Sequence, residues 1–470
     1  MTLRFGTDGV RGPANTQLSA EYALSFGRAM ARVLNPERVV VGRDTRESGP
    51  MLEAALCAGL CAEGVAVTVL GVCPTPAVAY ASAGGNQPGV MISASHNPYG
   101  DNGLKVFAAG GFKLTDAQEQ DFVTALAVLT DPDSGAALPA VDGGSPQTVN
   151  GCGSIGEDPD TIERYVAHLL GSIAGRRLDG AELVIDCAHG SAWQLAPRVL
   201  RSLGARVQVL GADPDGRNIN AGCGSTHLEP LRDAVLSRGA PLGLAFDGDA
   251  DRVLAVDHLG RVIDGDQLIA ICALDRHRRG QLRGATVAVT VMTNLGFRQG
   301  MARHGIAVVE TAVGDRSVLE AIERDALVLG GEQSGHIIFR DLATTGDGLL
   351  SALQVLDLCH RSGALLADLA DEAMTRLPQV LRNVPLGAGA PPAASTVGAA
   401  GTGTATTVSD ALAVAVEAVG RRLGDAGRVL VRASGTEPLL RIMVEAPTQE
   451  QAEQAVQELA AAASITSVGA

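Results

Sequence analysis

Along this chain the apolar positions come as short β-rich runs alternating with helical segments, and three stretches repeat one order. They are RVVVGRDTRESGPMLEAALCAGLCAEGVAVTVLGV (38–72), AELVIDCAHGSAWQLAPRVLRSLGARVQVLGA (181–212) and GATVAVTVMTNLGFRQGMARHGIAVVETAVGD (284–315). In each, an apolar run leads through a polar or glycine turn into a helix, and a glycine returns the chain to a second apolar run. That grammar predicts a βαβ unit, because two parallel strands need a crossover of helix length. Three such units predict a threefold α/β repeat.

Between the repeats polarity rises. Residues 130–160, TDPDSGAALPAVDGGSPQTVNGCGSIGEDPD, predict a linker before a helix that opens near Pro159 and aligns Ile162, Val166 and Leu169 on one face. The second unit closes near LAFDGDADRVLAVD (244–257), and the third runs to about residue 375. The uncharged stretch 386–409, rich in Ala, Gly, Thr and Pro, reads as a flexible loop or linker. A small last module follows, with strands at 428–432 and 439–445 and a closing helix whose Thr448 and Gln451 form a capping-box pattern.

Length and composition narrow the class. At 470 residues the chain exceeds one ordinary domain of about 100–200 residues, and three or four are expected. Hydrophobic residues are 46%, aromatics only 3%, and 58 glycines suit many short strands ending in tight turns. A net charge of −15 without any basic run argues against nucleic acid or a membrane surface as partner. The eight cysteines are scattered, with no CxxC, and read as reduced thiols. The start MTLRFGTDGVRG carries no basic leader or apolar core, and no run of ~20 apolar residues occurs, so a cytoplasmic protein is expected.

Four polar clusters interrupt the apolar pattern. In FDGDADRV (246–253), Asp247, Asp249 and Asp251 alternate behind the run LGLAF, and their mutual repulsion is relieved by a hard cation such as Mg²⁺. An EF-hand loop is excluded by Arg252 at the sixth position and His258 at the twelfth. A solvated acidic turn and a phosphatase nucleophile are the other readings. In RASGTEPLLRIMVE (432–445), Arg432, Ser434, Gly435, Thr436 and Arg441 offer hydroxyls, backbone N–H groups and two guanidiniums to an anion; an ordinary hairpin turn offers the same residues to water. GGEQSGHIIF (330–339) sets Glu332, Gln333, Ser334 and His336 between glycines, a set able to bind vicinal hydroxyls or simply to form a polar loop.

The fourth cluster is GVMISASHNPYGDNGLKVF (89–107). Pro98 restricts Asn97 and blocks a helix, so Ser95 is held on an exposed turn at a strand end, either as a nucleophile or as a structural turn serine. Neither GxSxG nor a Walker A sequence is present, which disfavours acyl hydrolysis and NTP-driven chemistry. GCGSIG (151–156) fits GxGxxG but follows no convincing strand, which disfavours dinucleotide binding.

Together, in this order, the clusters resemble the α-D-phosphohexomutase superfamily over essentially the whole chain. FGTDGVRG (5–12), MISASHNPYGDNGLK (91–105), NINAGCGSTH (218–227), VGDR (313–316) and GEQSGH (331–336) are similar to its bacterial branch acting on glucosamine phosphates. The resemblance implies three similar α/β domains with mixed sheets and a smaller α+β C-terminal domain around a central active-site cleft, divided at 1–150, 151–255, 256–375 and 376–470. It makes Ser95 a phosphoserine, and Asp247, Asp249, Asp251 and the Ser95 phosphate the Mg²⁺ ligands. Glu332 and Ser334 match sugar contacts; Arg432, Ser434, Gly435, Thr436 and Arg441 match the loop holding the non-reacting phosphate. Arg11, Lys105, Arg252 and His336 match polar groups around the transfer site, with Lys105 and His336 as acid and base.

The implied reaction interconverts glucosamine 6-phosphate and glucosamine 1-phosphate through a sugar 1,6-bisphosphate, toward UDP-N-acetylglucosamine. A phosphoglucomutase or phosphomannomutase is the alternative; Gln333 and the CGSTH stretch favour the amino sugar. A homodimer and an activating kinase are the expected partners beyond the sugar phosphate, and a non-catalytic sugar-phosphate binder is disfavoured by the intact Ser95 and aspartates. Three departures stand out: Ser317 after VGDR, Ala433 in the phosphate loop, and the lack of charge in 386–409.

Overall fold

A computed structural model describes residues 3, 5–6, 9–130, 151–385, 396–398, 410–433 and 439–464. The chain forms two compact units, residues 1–292 with 305–372, and residues 293–304 with 373–470. Three mixed sheets lie in the first unit and an antiparallel sheet in the second.

The first sheet is built from β1 (Phe5–Gly6), β2 (Gly9–Pro13), α1 (Ala20–Leu34), β3 (Arg38–Arg43), α2 (Gly49–Ala62), β4 (Ala66–Val72), α3 (Thr75–Gly85), β5 (Gly89–Ile92), β6 (Asp101–Phe107), α4 (Asp116–Thr130) and β7 (Ile155–Glu157). Its order is β1-β2-β6-β5-β3-β4-β7, with β3 parallel to β4 and β5 as the first βαβ stretch requires. Phe26 packs on Phe122 and Phe5 in the core, with ring centroids 4.7 and 6.2 Å away. Helices α1 and α2 touch through glycines: a Cβ on Gly59 would stand 2.1 Å from Leu24 O. The segment 155–157, inside the stretch expected as linker, pairs in parallel with β4, so GCGSIG leads into a sheet edge.

After α5 (Pro159–Gly171), the second sheet comprises β8 (Glu182–Asp186), α6 (Leu195–Ser202), β9 (Arg206–Leu210), α7 (Glu229–Arg238), β10 (Leu242–Phe246), β11 (Val253–Asp257) and β12 (Val262–Ile263), in the order β12-β11-β10-β8-β9. The third follows α8 (Gly265–Arg278) and contains β13 (Thr286–Thr290), β14 (Ala307–Thr311), α10 (Asp315–Arg324), β15 (Leu329–Gly331) and β16 (Ile337–Phe339), with α9 (Leu295–Arg303) between β13 and β14 in the chain; its order is β14-β13-β15-β16. Both expected repeats are met by parallel pairs, β8 with β9 and β13 with β14. Helix α11 (Gly348–Ser362) begins at Asp347, whose carboxylate accepts from Leu350 N at 2.9 Å and from Tyr165 Oη of α5 at 2.7 Å.

In the second unit, α9 is followed in the chain by the end of α12 (Leu366–Ala373) and by β17 (Gln379–Pro385), β18 (Thr396–Gly398), α13 (Asp410–Leu423), β19 (Arg428–Ala433), β20 (Leu439–Glu445) and α14 (Gln449–Ser464). The sheet order is β17-β20-β19-β18. Thr448 Oγ1 accepts from Gln451 N at 3.3 Å, the expected cap of the closing helix. Buried Glu445 accepts from both sides of the Arg428 fork, from Gln379 and from Leu295 N at the start of α9. Among the described residues no helix is long and apolar enough to cross a membrane.

Candidate active site

Ser95 follows the fully buried strand β5 and sits in the left-handed region, φ 52°, on a turn that Pro98 keeps from becoming helix. Such a conformation strains a residue with a side chain, so neighbours must hold it. Ser95 N donates to Ser93 Oγ at 2.9 Å, and Asn220 Nδ2 donates to Ser95 O at 2.9 Å. Ser95 Oγ donates to Asp247 Oδ2 at 2.6 Å and lies 3.3 Å from His96 Nδ1.

The carboxylates come from the turn between β10 and β11, where the apolar run LGLAF ends. Asp247, Asp249 and Asp251 are buried, and one oxygen of each lies within 4.8 Å of the others. Gly248 lets this turn approach the serine: a Cβ there would be 2.6 Å from Ser95 O. Lys105 on β6 reaches Asp249 Oδ2 at 2.6 Å and Asp251 Oδ2 at 3.3 Å. Thr75, first residue of α3, donates to the same Asp249 oxygen at 2.5 Å. Asp249 Oδ1 and Asp251 Oδ1 are buried without a hydrogen-bond partner, although Arg252 Nε stands 3.7 Å from the latter. Buried carboxylate oxygens left over in a cluster of three are the donor set of a hard divalent cation.

Electrostatics separates Asp247 from Asp249. Burial, then the charges of Asp251 and Asp249, push the Asp247 carboxyl well above its usual range. Burial acts the same way on Asp249, but the Lys105 ammonium and the Thr75 hydroxyl outweigh it and hold that group low. His96 is lowered to about 4 by burial and by the charges of Arg252 and Arg11, so its imidazole is neutral at pH 7.

The GEQSGH turn joins this centre through its backbone. Val253 N donates to Gly335 O at 3.1 Å, and Glu332 Oε1 accepts from Gly314 N at 3.2 Å. His336 is buried, with Nε2 3.8 Å from Asp315 Oδ2 and Nδ1 without a hydrogen-bond partner; Asp315 also pairs with Lys113. Ser334 Oγ is likewise buried without a partner. The Gln333 amide donates to Asp264 at 3.3 Å, the cap of α8. Arg11 lies on β2 opposite Gly103 of β6.

Ser95, the three aspartates, Lys105 and Arg252 therefore converge, with Glu332, Ser334 and His336 on the adjoining turn. In the second unit, Arg432 and Arg441 stand directly opposite each other on β19 and β20. Burial, then the Arg441 charge, lower the Arg432 pKa. Ser434, Gly435 and Thr436 lie outside the described residues. Sequence reading passed over Thr75, Asn220 as a clamp, and Asp44 and Arg46, whose DTRESG context looks like any charged turn.

Models described as phosphoglucomutase/phosphomannomutase alpha/beta/alpha domains I, II and III match residues 2–129, 163–260 and 264–377, and the C-terminal domain matches 395–462. Phosphoglucosamine mutase of Frankia alni is 50% identical over 98% of this chain and 98% of its own. A phosphoglucomutase/phosphomannomutase family protein from Burkholderia thailandensis superposes with a TM-score of 0.77 at 24% identity, covering 99% and 97% of the two chains. N-acetylphosphoglucosamine mutase of Aspergillus fumigatus, solved with GlcNAc-6P and magnesium, gives 0.68 at 18%, covering 98% and 95%.

Proposed function

This chain belongs to the phosphoglucomutase/phosphomannomutase family, within its phosphoglucosamine mutases, and from that premise we propose a phosphoserine route between glucosamine 6-phosphate and glucosamine 1-phosphate. A phosphoryl group carried on Ser95 Oγ passes to the free sugar hydroxyl: the P–O bond to serine breaks, one to the sugar forms, and the hydroxyl proton goes to a base. The sugar bisphosphate turns end for end, and its other phosphoryl group returns to Ser95 while the released sugar oxygen regains a proton. Lys105 and His336 are the acid and base.

Asp247, Asp249, Asp251 and a phosphoserine oxygen would hold Mg²⁺, which would supply positive charge to neutralise the transferring group. Arg252 and Arg11 add positive charge beside it. Glu332 and Ser334 read the sugar hydroxyls, and Arg432 and Arg441, with Ser434, Gly435 and Thr436, hold the phosphate that is not reacting. A sugar 1,6-bisphosphate or a kinase loads Ser95 at the outset, and the enzyme works in the cytoplasm as a homodimer supplying UDP-N-acetylglucosamine synthesis.

The carrying observation is Ser95 Oγ at 2.6 Å from Asp247, inside a buried three-carboxylate cluster paired with Lys105. Identity of 50% over the full length to a glucosamine enzyme favours that sugar over glucose or mannose. Intact-mass analysis should find one phosphate on Ser95, and coupled assays the highest kcat/KM on glucosamine phosphate. Unchanged turnover in Ser95→Ala would refute the route, and preference for another hexose phosphate would refute the substrate.

A further inference from the structure

Arg46 is completely buried, in the turn between β3 and α2, and none of the roles above uses it. Its guanidinium has five N–H donors, and every one is engaged. Nε donates to Asp44 Oδ2 at 2.8 Å. Nη2 donates to Ser95 O at 2.9 Å and Asn97 O at 2.8 Å; Nη1 donates to Asp101 O at 3.0 Å and to Pro98 O. Four carbonyls of the serine turn thus converge on one planar fork. The contact continues to the other side of Ser95: Asp44 Oδ2 accepts from Ser93 Oγ at 2.6 Å, and Ser93 Oγ accepts from Ser95 N at 2.9 Å.

We propose that Arg46, acting through Asp44 and Ser93 as well as directly, is the positioning residue that aims Ser95 Oγ for phosphoryl transfer; this rests on the phosphoserine route. The left-handed backbone of Ser95 does not hold itself, and the Arg46 fork fixes its carbonyl while the Asp44–Ser93 arm fixes its amide. Because Asp44 neutralises Arg46, the pair contributes geometry and little net charge to the dianion. Its loss therefore lowers kcat and leaves substrate binding alone. Lysine cannot substitute, since three tetrahedral donors do not span five acceptors.

The test compares Arg46→Lys, Ser93→Ala and Ser93→Thr with the wild-type holoenzyme, Ser95→Ala being run in parallel. Misplacement of a reacting atom costs on the order of 100-fold, so Arg46→Lys should lose about that in kcat with KM within about twofold. Ser93→Ala, which leaves Arg46 and Asp44 in place, should lose about 10-fold in kcat at unchanged KM, and Ser93→Thr, keeping the hydroxyl, should recover most of it. A folded Arg46→Lys enzyme with wild-type kcat, or with KM rising in step, overturns the proposal. If Arg46→Lys fails to fold, Ser93→Ala decides, and wild-type kcat there overturns it. Activity surviving in Ser95→Ala would instead overturn the phosphoserine route.

Discussion

Lys105 Nζ lies 2.6 Å from Asp249 Oδ2, a pair joined across 144 residues with both side chains buried. The lysine and a divalent cation draw on the same carboxylate cluster, so removing the ammonium frees the acids for the metal. Lys105→Met should bind Mg²⁺ more tightly by calorimetric titration, while kcat falls by ~100-fold or more, as the proposed proton-transfer role of Lys105 requires. Weaker Mg²⁺ binding in the variant would assign Lys105 to holding the triad together instead.

Removal of the metal should stop turnover. Chelation with EDTA is expected to abolish activity and added Mg²⁺ to restore it. Asp247→Asn, which keeps the shape and removes the charge beside Ser95 Oγ, should raise the Mg²⁺ concentration for half-activation by at least about 10-fold.

Gly248 tests how tightly the two turns meet. An alanine Cβ would stand 2.6 Å from Ser95 O, 2.8 Å from Ile219 Cδ1 and 2.9 Å from Asn220 Nδ2. Ser95 O cannot retreat easily, because Asn220 and Arg46 both donate to it. Gly248→Ala should cost about 1–3 kcal/mol in denaturant unfolding and lower kcat more than it raises KM.

The second unit depends on a buried carboxylate. Glu445 is fully buried and accepts from Arg428, Gln379 and Leu295 N. Glu445→Ala removes the buried acceptor that Arg428, Gln379 and Leu295 N share, and chemical denaturation should report a loss of about 3–5 kcal/mol.

Much of this was legible in the sequence, for a physical reason. Strands that end in clustered carboxylates or in Ser-His-Asn-Pro announce themselves because polar groups interrupt strongly apolar runs, and glycines mark the turns. The βαβ grammar carried over to parallel pairing in all three repeats. Arg46 was not legible, because all its acceptors but Asp44 are backbone carbonyls some fifty residues away that belong to no residue type. Nor was β7, an exposed three-residue edge strand with no apolar alternation of its own. Gln333, read toward the sugar, is engaged by a helix cap that only tertiary structure brings near.

The cysteines should divide sharply under alkylation. All eight are free, and burial pushes the Cys57, Cys73 and Cys272 thiols to about 12. Buried and held largely as thiols at pH 8, they should label only on unfolding. Exposed Cys152 should label first in the native protein, which peptide mapping after brief iodoacetamide treatment would read.

The 152 residues between Ser95 and Asp247 also set a timetable. During synthesis the serine leaves the ribosome long before the acid that receives its hydroxyl, and Asn220, which holds its carbonyl, comes 125 residues later. A nascent chain thus carries its reactive hydroxyl without the apparatus that makes it reactive. On the proposed route, phosphoryl chemistry at Ser95 waits until Asn220 and Asp247 have been made and have paired with it.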